Sequence, residues 1–411
     1  MPKRPNILLI MADQLAPQFL GAYGHPLVRS PNIDRLAERG AVFDAAYCNA
    51  PLCAPARYVL MTGRLPSRIA AWDNACELSA EIPTFAHYLS SLGYRTCLSG
   101  KMHFCGPDQL HGFQERLTTD VYPADFTWTP DWDDWQRPLD WYHTMDVVRT
   151  AGPCTRSSNL DYDDEVAFTA RRWLFDLARG GGGEPFCLVV SFINPHDPYT
   201  NRAEYLERHA LADVDMPATT AREVTPDAHS ERLMRAIRMV DPAPTEDQVR
   251  RARHAYYGSI AYVDDRIGEL IATLDEARFA DDTVVIVTAD HGDMLGERGM
   301  WFKMHWYEHA ARVPLIVTAP KDIAPRRVRA AVSHVDLLPT LVELATGGGP
   351  YPYPTPIEGR SLLPHVSNGS GHDEAIGEYF AEGSPGPVLM IRRGDMKAIL
   401  SAADPLLLYR L

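Results

Sequence analysis

Three shortages in this sequence each exclude a class of partner. No apolar run reaches bilayer length: the early candidate, in MPKRPNILLIMADQL, stops at Asp13 after about six residues. That is too short for a membrane span or a secretory signal core, so residues 6–13 are expected to form a strand. Positive charge is also scarce, with 40 Lys and Arg against 54 Asp and Glu and a net charge of −14. Nucleic acids and anionic membranes are bound mainly through lysine and arginine. Neither is an expected partner, and any anionic ligand needs a local cationic site. Cysteine is sparse and odd in number, seven with no framework spacing, which predicts a reducing, cytoplasmic setting rather than a disulfide scaffold. Internal repeats are absent.

What is present suits a large α/β protein. At 411 residues and 45% hydrophobic, the chain is long enough for one large core and a smaller appendage. Apolar runs alternate with helical patterns, which predicts a mostly parallel sheet sandwiched by helices. Strands are expected at 6–13, 94–100, 185–193 and 283–290, and helices over 30–40, 82–92, 161–179 and 245–277. Ser30 is placed to cap the first helix, Pro31 at its first position and Gly40 at its stop. A body over 1–346 is expected to pass through a proline-rich link, 347–359, into a small α+β subdomain, 360–411, with short strands such as PVLMIRRG.

Ligands of open α/β sheets bind beyond the carboxyl ends of the strands. Asp13 closes the first expected strand, Lys101 and His103 follow the second, His196 and Asp197 the third, and Asp290 with His291 the fourth. Four strands therefore deliver titratable groups to one edge, which predicts an active site there. Pro55 suits a helix start and puts Cys53 near a helix N-terminus, where amide dipoles favour an anion.

Two motifs sharpen that expectation. CAPAR, residues 53–57, fits a CxPxR signature, and GYRTCLSGKMH, residues 93–103, resembles a second signature expected some forty residues on. Both are similar to the sulfatases of the alkaline phosphatase superfamily. The stretches CLSGKMHFCGPDQLHGFQERLTTDVYPADFTWTPDW and DHGDMLGERGMWFKM resemble in particular the bacterial choline sulfatases, with similarity from residue 5 to about 400. The resemblance implies an alkaline phosphatase/sulfatase-like fold and a formylglycine made from Cys53 by a maturation enzyme. One hydroxyl of the hydrated aldehyde attacks sulfur; the other then loses its proton so that the covalent sulfate is expelled. It also implies one divalent metal, calcium, manganese or magnesium, held by Asp13, Asp290, His291 and the modified Cys53. Many sulfatases carry two adjacent acids after the first strand; here Ala12 precedes Asp13 and Gln14 follows it. Arg57 and Lys101 would hold the hydrate and the sulfate, while Lys303, His103, His196 and Asn74 supply donors. His196 is the first choice for general acid and His103 for the base of the collapse step, roles that can be exchanged. The remaining cysteines, Cys48, Cys76, Cys97, Cys105, Cys154 and Cys187, read as small buried apolar groups.

The substrate implied is choline-O-sulfate. Trp128 and His143 stand where choline sulfatases surround the trimethylammonium, and Glu382 where they supply a carboxylate. A carboxylate about 4 Å away at an effective dielectric near 20 contributes about 4 kcal/mol before desolvation, against roughly 0.5 to 2 kcal/mol for an aromatic face. Glu382 should therefore dominate selection. The alternatives are a phosphonate monoester, phosphodiester or other alkyl sulfate hydrolase, and a non-catalytic choline-ester binding protein if Cys53 stays a thiol. HWYEH, residues 305–309, also fits the HxxEH pattern of some zinc proteases, but it overlaps the segment bearing Lys303 and no third ligand follows. The ending DPLLLYRL resembles the point at which the family continues into a tail that makes oligomer contacts; the resemblance implies a homo-oligomer, dimer or tetramer, whose contacts in the family draw on that tail.

Overall fold

The computed structural model describes residues 4–121, 134, 143–181, 183–319, 323–367 and 369–411. Their main feature is an eight-stranded sheet: β1 (Asn6–Ala12), β2 (Ala41–Tyr47), β3 (Arg95–Gly100), β4 (Glu115–Arg116), β5 (Phe186–Phe192), β6 (Thr283–Ala289), β7 (Leu315–Thr318) and β8 (Arg326–Ser333). The order is β8-β2-β7-β6-β1-β5-β3-β4. Only β7 runs antiparallel to its neighbours. β1 lies at the centre, with Ile7 opposite Cys187 of β5 and Val284 of β6. All three strands are mostly apolar with almost every residue buried, as expected of strands covered on both faces.

Helices cover the sheet. One face carries α1 (Pro31–Arg39), α4 (Ser158–Gly180) and α6 (Glu246–Glu276), which pack on one another. The other carries α2 (Cys53–Thr62), α3 (Phe85–Ser91) and α7 (Leu337–Thr346). A further helix, α5 (Ala228–Ala236), bridges loops and is considered below. Ser30 and Pro31 occupy the expected positions at the start of α1, yet the Ser30 hydroxyl turns to Asp34 instead of a backbone N–H. The capping comes from α6: the Asp264 carboxylate accepts from the Asn32 and Ile33 N–H groups.

Beyond 347–359, which holds no helix or strand, a four-stranded antiparallel sheet follows: β9 (Glu374–Tyr379), β10 (Val388–Arg393), β11 (Met396–Ser401) and β12 (Leu407–Arg410). It is fastened to the body. Lys397 Nζ donates to Glu308 Oε1 at 2.7 Å, Trp306 Nε1 to the Val388 carbonyl at 3.0 Å, and Asn49 Nδ2 to the Ile376 carbonyl at 2.6 Å. No helix among the described residues is long and apolar enough to cross a membrane. Four of the six other cysteine readings rest on partial or full burial alone, while Cys76 Sγ donates to the Asp73 carbonyl and Cys105 Sγ to the Asn74 carbonyl.

Candidate active site

The four strands predicted to carry the site, β6, β1, β5 and β3, are consecutive in the sheet. Neighbouring strands lie about 4.8 Å apart, so groups just past their carboxyl ends come within contact distance. Asp13 and Asp290 both take the guanidinium of Arg57, through Nη2 at 3.1 Å and Nε at 2.9 Å. Arg57 Nη1 donates to the Lys101 carbonyl at 2.6 Å and to Ser191 Oγ at 2.9 Å. Lys101 Nζ pairs directly with Asp13 Oδ2. All of these side chains are fully buried. Burial alone would raise the Asp13 carboxyl, but Lys101, His196, Arg57 and His291 hold it well below the usual range.

Cys53 is the first residue of α2, a helix buried all round, and Leu52 enters it in extended conformation. The Ala54 N–H donates to Asn74 Oδ1 at 2.9 Å, which places Asn74 against the start of the helix. Cys53 Sγ lies 3.2 Å from His291 Nε2 and 4.0 Å from Asp13 Oδ1. Burial and Asp13 push the thiol up, but Lys101, Lys303 and His291 win, and it is held below its usual value.

One atom from each of Asp13, Cys53, Asp290 and His291 fits within a 4.8 Å cluster. The donor chemistry suits a hard divalent cation: two carboxylates, one imidazole, and an oxygen if Cys53 is replaced by an aldehyde hydrate. The His291 imidazole is set as a ligand, because Nδ1–H donates to the Gly292 carbonyl at 3.0 Å and turns Nε2 toward the cluster. Despite burial, Asp290 and Cys53 raise the His291 pKa, a field that favours positive charge at this point.

Lys303 closes the opposite side. Its Nζ donates to Gln14 Oε1 at 2.8 Å and lies 2.7 Å from His196 Nε2. The other His196 nitrogen, Nδ1, faces the Asp197 carbonyl at 2.7 Å and must donate to it. Nε2 is therefore the acceptor, in agreement with burial and Lys303 keeping this imidazole well below its usual pKa. The proton on this side sits on Lys303. His103, at φ +61°, is kept neutral by burial, Lys101 and Arg57. His143 stacks on Phe302, with ring centroids 4.8 Å apart, and feels the Lys303 and His291 charges. Glu382 is 3% exposed, accepts from the Tyr379 hydroxyl at 2.9 Å and is pushed up to about 7 by burial. Trp128 lies outside the described residues.

Three groups were not assigned from sequence. Gln14, at φ +63°, bridges Lys303 to Asp293 and donates its backbone N–H to Asp290. Asp293 also accepts from the Tyr199 hydroxyl at 2.8 Å, and Asp163 holds the loop before His196 through the Ile193 and Asn194 N–H groups. The sequence signal for Gln14 and Asp293 was proximity in the chain to Asp13 and Asp290; Asp163, on α4, carried no such signal. HWYEH forms no metal cluster among the described residues: Glu308 pairs with Lys397, and His305 with Ser230 and Asp227.

A profile of the sulfatase family matches residues 5–348. The chain belongs to the sulfatase family. This sulfatase is 45% identical over 413 residues to the choline-sulfatase of Rhizobium meliloti strain 1021, covering 99% of this chain and 80% of that protein. It is 28% identical to the arylsulfatase of Clostridium perfringens, over 93% of this chain and 83% of that one. The phosphonate monoester hydrolase of Agrobacterium radiobacter has a similar solved structure, at TM-score 0.78 and 25% identity, covering 99% of this chain and 89% of that one. The large mostly parallel sheet with a small C-terminal sheet is thus the fold of this superfamily.

Proposed function

We propose that this sulfatase hydrolyses choline-O-sulfate to choline and sulfate, with Cys53 matured to formylglycine and one divalent ion held by Asp13, Asp290, His291 and that residue. The observation that carries the reading is the placement of Cys53 Sγ at a helix start, 3.2 Å from His291 and 4.0 Å from Asp13. When present, the aldehyde hydrate supplies a nucleophile and the ion lowers the pKa of its hydroxyl. Arg57 and Lys101 fix the carboxylates and bring positive charge to the sulfate. Lys303 carries the proton for the leaving oxygen, and His196, hydrogen-bonded to it, keeps the ammonium aimed; the acid role expected of His196 is thereby shared by the pair. His103, neutral in this field, is the base for the hydrate's second hydroxyl. Asn74 steadies the helix start beside the sulfate, and Glu382, with His143 and Trp128, receives the trimethylammonium. The free thiols support a cytoplasmic setting.

The test has two parts. Mass spectrometry of the peptide containing residue 53, from protein made alongside a maturation enzyme, should show the aldehyde, and C53A should lose all choline release. A thiol in every molecule of an active preparation would overturn the reading. The likeness to a phosphonate monoester hydrolase favours a second reading, the same machinery acting on phosphonate monoesters. A higher kcat/KM on phenyl phosphonate than on choline sulfate would select it.

A further inference from the structure

We propose that Arg232 is a positioning residue for substrate selection, holding the Glu382 carboxylate in place through the peptide that follows it. The inference rests on Glu382 being the cation-selecting group. Arg232 stands on α5, and its guanidinium is gripped as a fork by Asp404, Nη1 to Oδ1 at 2.8 Å and Nη2 to Oδ2 at 2.5 Å. Both side chains are largely buried, at 16% and 11% exposure. With the fork fixed, Nε points at one acceptor, the Gly383 carbonyl at 2.7 Å. Gly383 is at φ +71°, and a Cβ there would come within 2.8 Å of Leu233 Cδ2, so the peptide after Glu382 is pinned between Arg232 and Leu233. The other side of Glu382 is held by Tyr379, whose hydroxyl donates to both its backbone and its carboxylate oxygens. Planar, bidentate geometry is what arginine provides and lysine does not.

The same helix also supports the reacting side. His229 Nε2 donates to the Met304 carbonyl at 2.9 Å, one residue after Lys303, and Ser230 Oγ meets His305 Nε2 at 3.1 Å. Arg232 bonds the Glu382 loop directly through Gly383, whereas α5 reaches the reacting side through His229 and Ser230, so loss of the guanidinium should move selection more than chemistry.

The experiment compares wild type, E382Q, R232Q and D404N, all matured, on choline sulfate and on 4-nitrophenyl sulfate, with melting temperatures recorded. R232Q is expected to lose about tenfold in kcat/KM on choline sulfate, mainly through KM, and to stay within about twofold on the uncharged ester. D404N keeps the bond to Gly383 and removes its brace, so a smaller shift in the same direction is expected; it also serves if R232Q does not fold. If wild type shows no preference for the choline ester and E382Q loses nothing, the choline reading fails and this inference with it. If E382Q behaves as expected but R232Q and D404N keep the wild-type ratio, or lose equally on both esters, the positioning role alone is overturned.

Discussion

Glu382 holds its charge in an unfavourable place. Burial moves its pKa from the usual 4.5 to about 7, so near neutral pH the free enzyme is divided between a carboxylate, which on the proposed assignment attracts a quaternary ammonium, and an acid that does not. kcat/KM reports the free enzyme. The ratio of kcat/KM on choline sulfate to that on 4-nitrophenyl sulfate is expected to rise as pH increases through about 7, and E382Q should flatten that rise and lose on the order of a hundredfold on the choline ester alone. The linkage sign is opposite for stability. A carboxyl whose folded pKa is raised binds its proton more tightly when folded, so stability falls as pH rises from about 4.5 toward 7. E382Q should therefore unfold at a higher temperature than wild type at pH 8, by up to about 3 kcal/mol, readable in thermal melts. The site residues that sequence made legible, Asp13, Lys101, His196, Asp290 and His291, each lie just past the carboxyl end of a buried strand. So do Gln14 and Asp293, but their roles depend on Lys303 and Tyr199, which arrive from distant segments.

At the scale of elements, the carboxyl end of β3 is a tight joint. Gly100 has φ +111°, and a Cβ there would lie 2.0 Å from the Ser191 carbonyl of β5. Backbone cannot yield as a flexible side chain does, so G100A should destabilise by more than about 3 kcal/mol and displace Lys101, the next residue. Denaturant melts and loss of turnover would record both effects. The same strands explain what sequence reading captured. β1, β5 and β6 were readable because strands covered on both faces are mostly apolar, whereas β3, RTCLSG, carries a weaker apolar signal. β2 was not, since Asp44 and three small alanines interrupt AVFDAAY; β7 is four residues long; and β8, RRVRAAVS, is an edge strand with three arginines. The start of α1 was placed correctly from Ser30 and Pro31, but its cap is a carboxylate on α6, more than two hundred residues away. Local signals cannot report such a partner.

Across the whole molecule, a buried ion pair is among the polar contacts that clamp the smaller sheet to the body. Lys397 is 2% exposed, its Nζ bonds Glu308 and lies 5.1 Å above the Tyr47 ring, and Tyr47 donates to the other Glu308 oxygen at 3.0 Å. Removing one partner of such a pair leaves a buried charge, at about 3 to 5 kcal/mol. Arg312, 3.8 Å from Glu308, offsets part of it, so K397M should cost about 2 to 4 kcal/mol in thermal unfolding. Glu382 belongs to the hairpin between β9 and β10, whereas every group around Cys53 comes from the larger sheet and its loops. On the proposed assignment, the carboxylate that dominates the choice of ester lies on the smaller sheet, apart from the groups that perform the chemistry. A graft of residues 380–387 is then a short route to a new diet, with the reacting apparatus inherited intact.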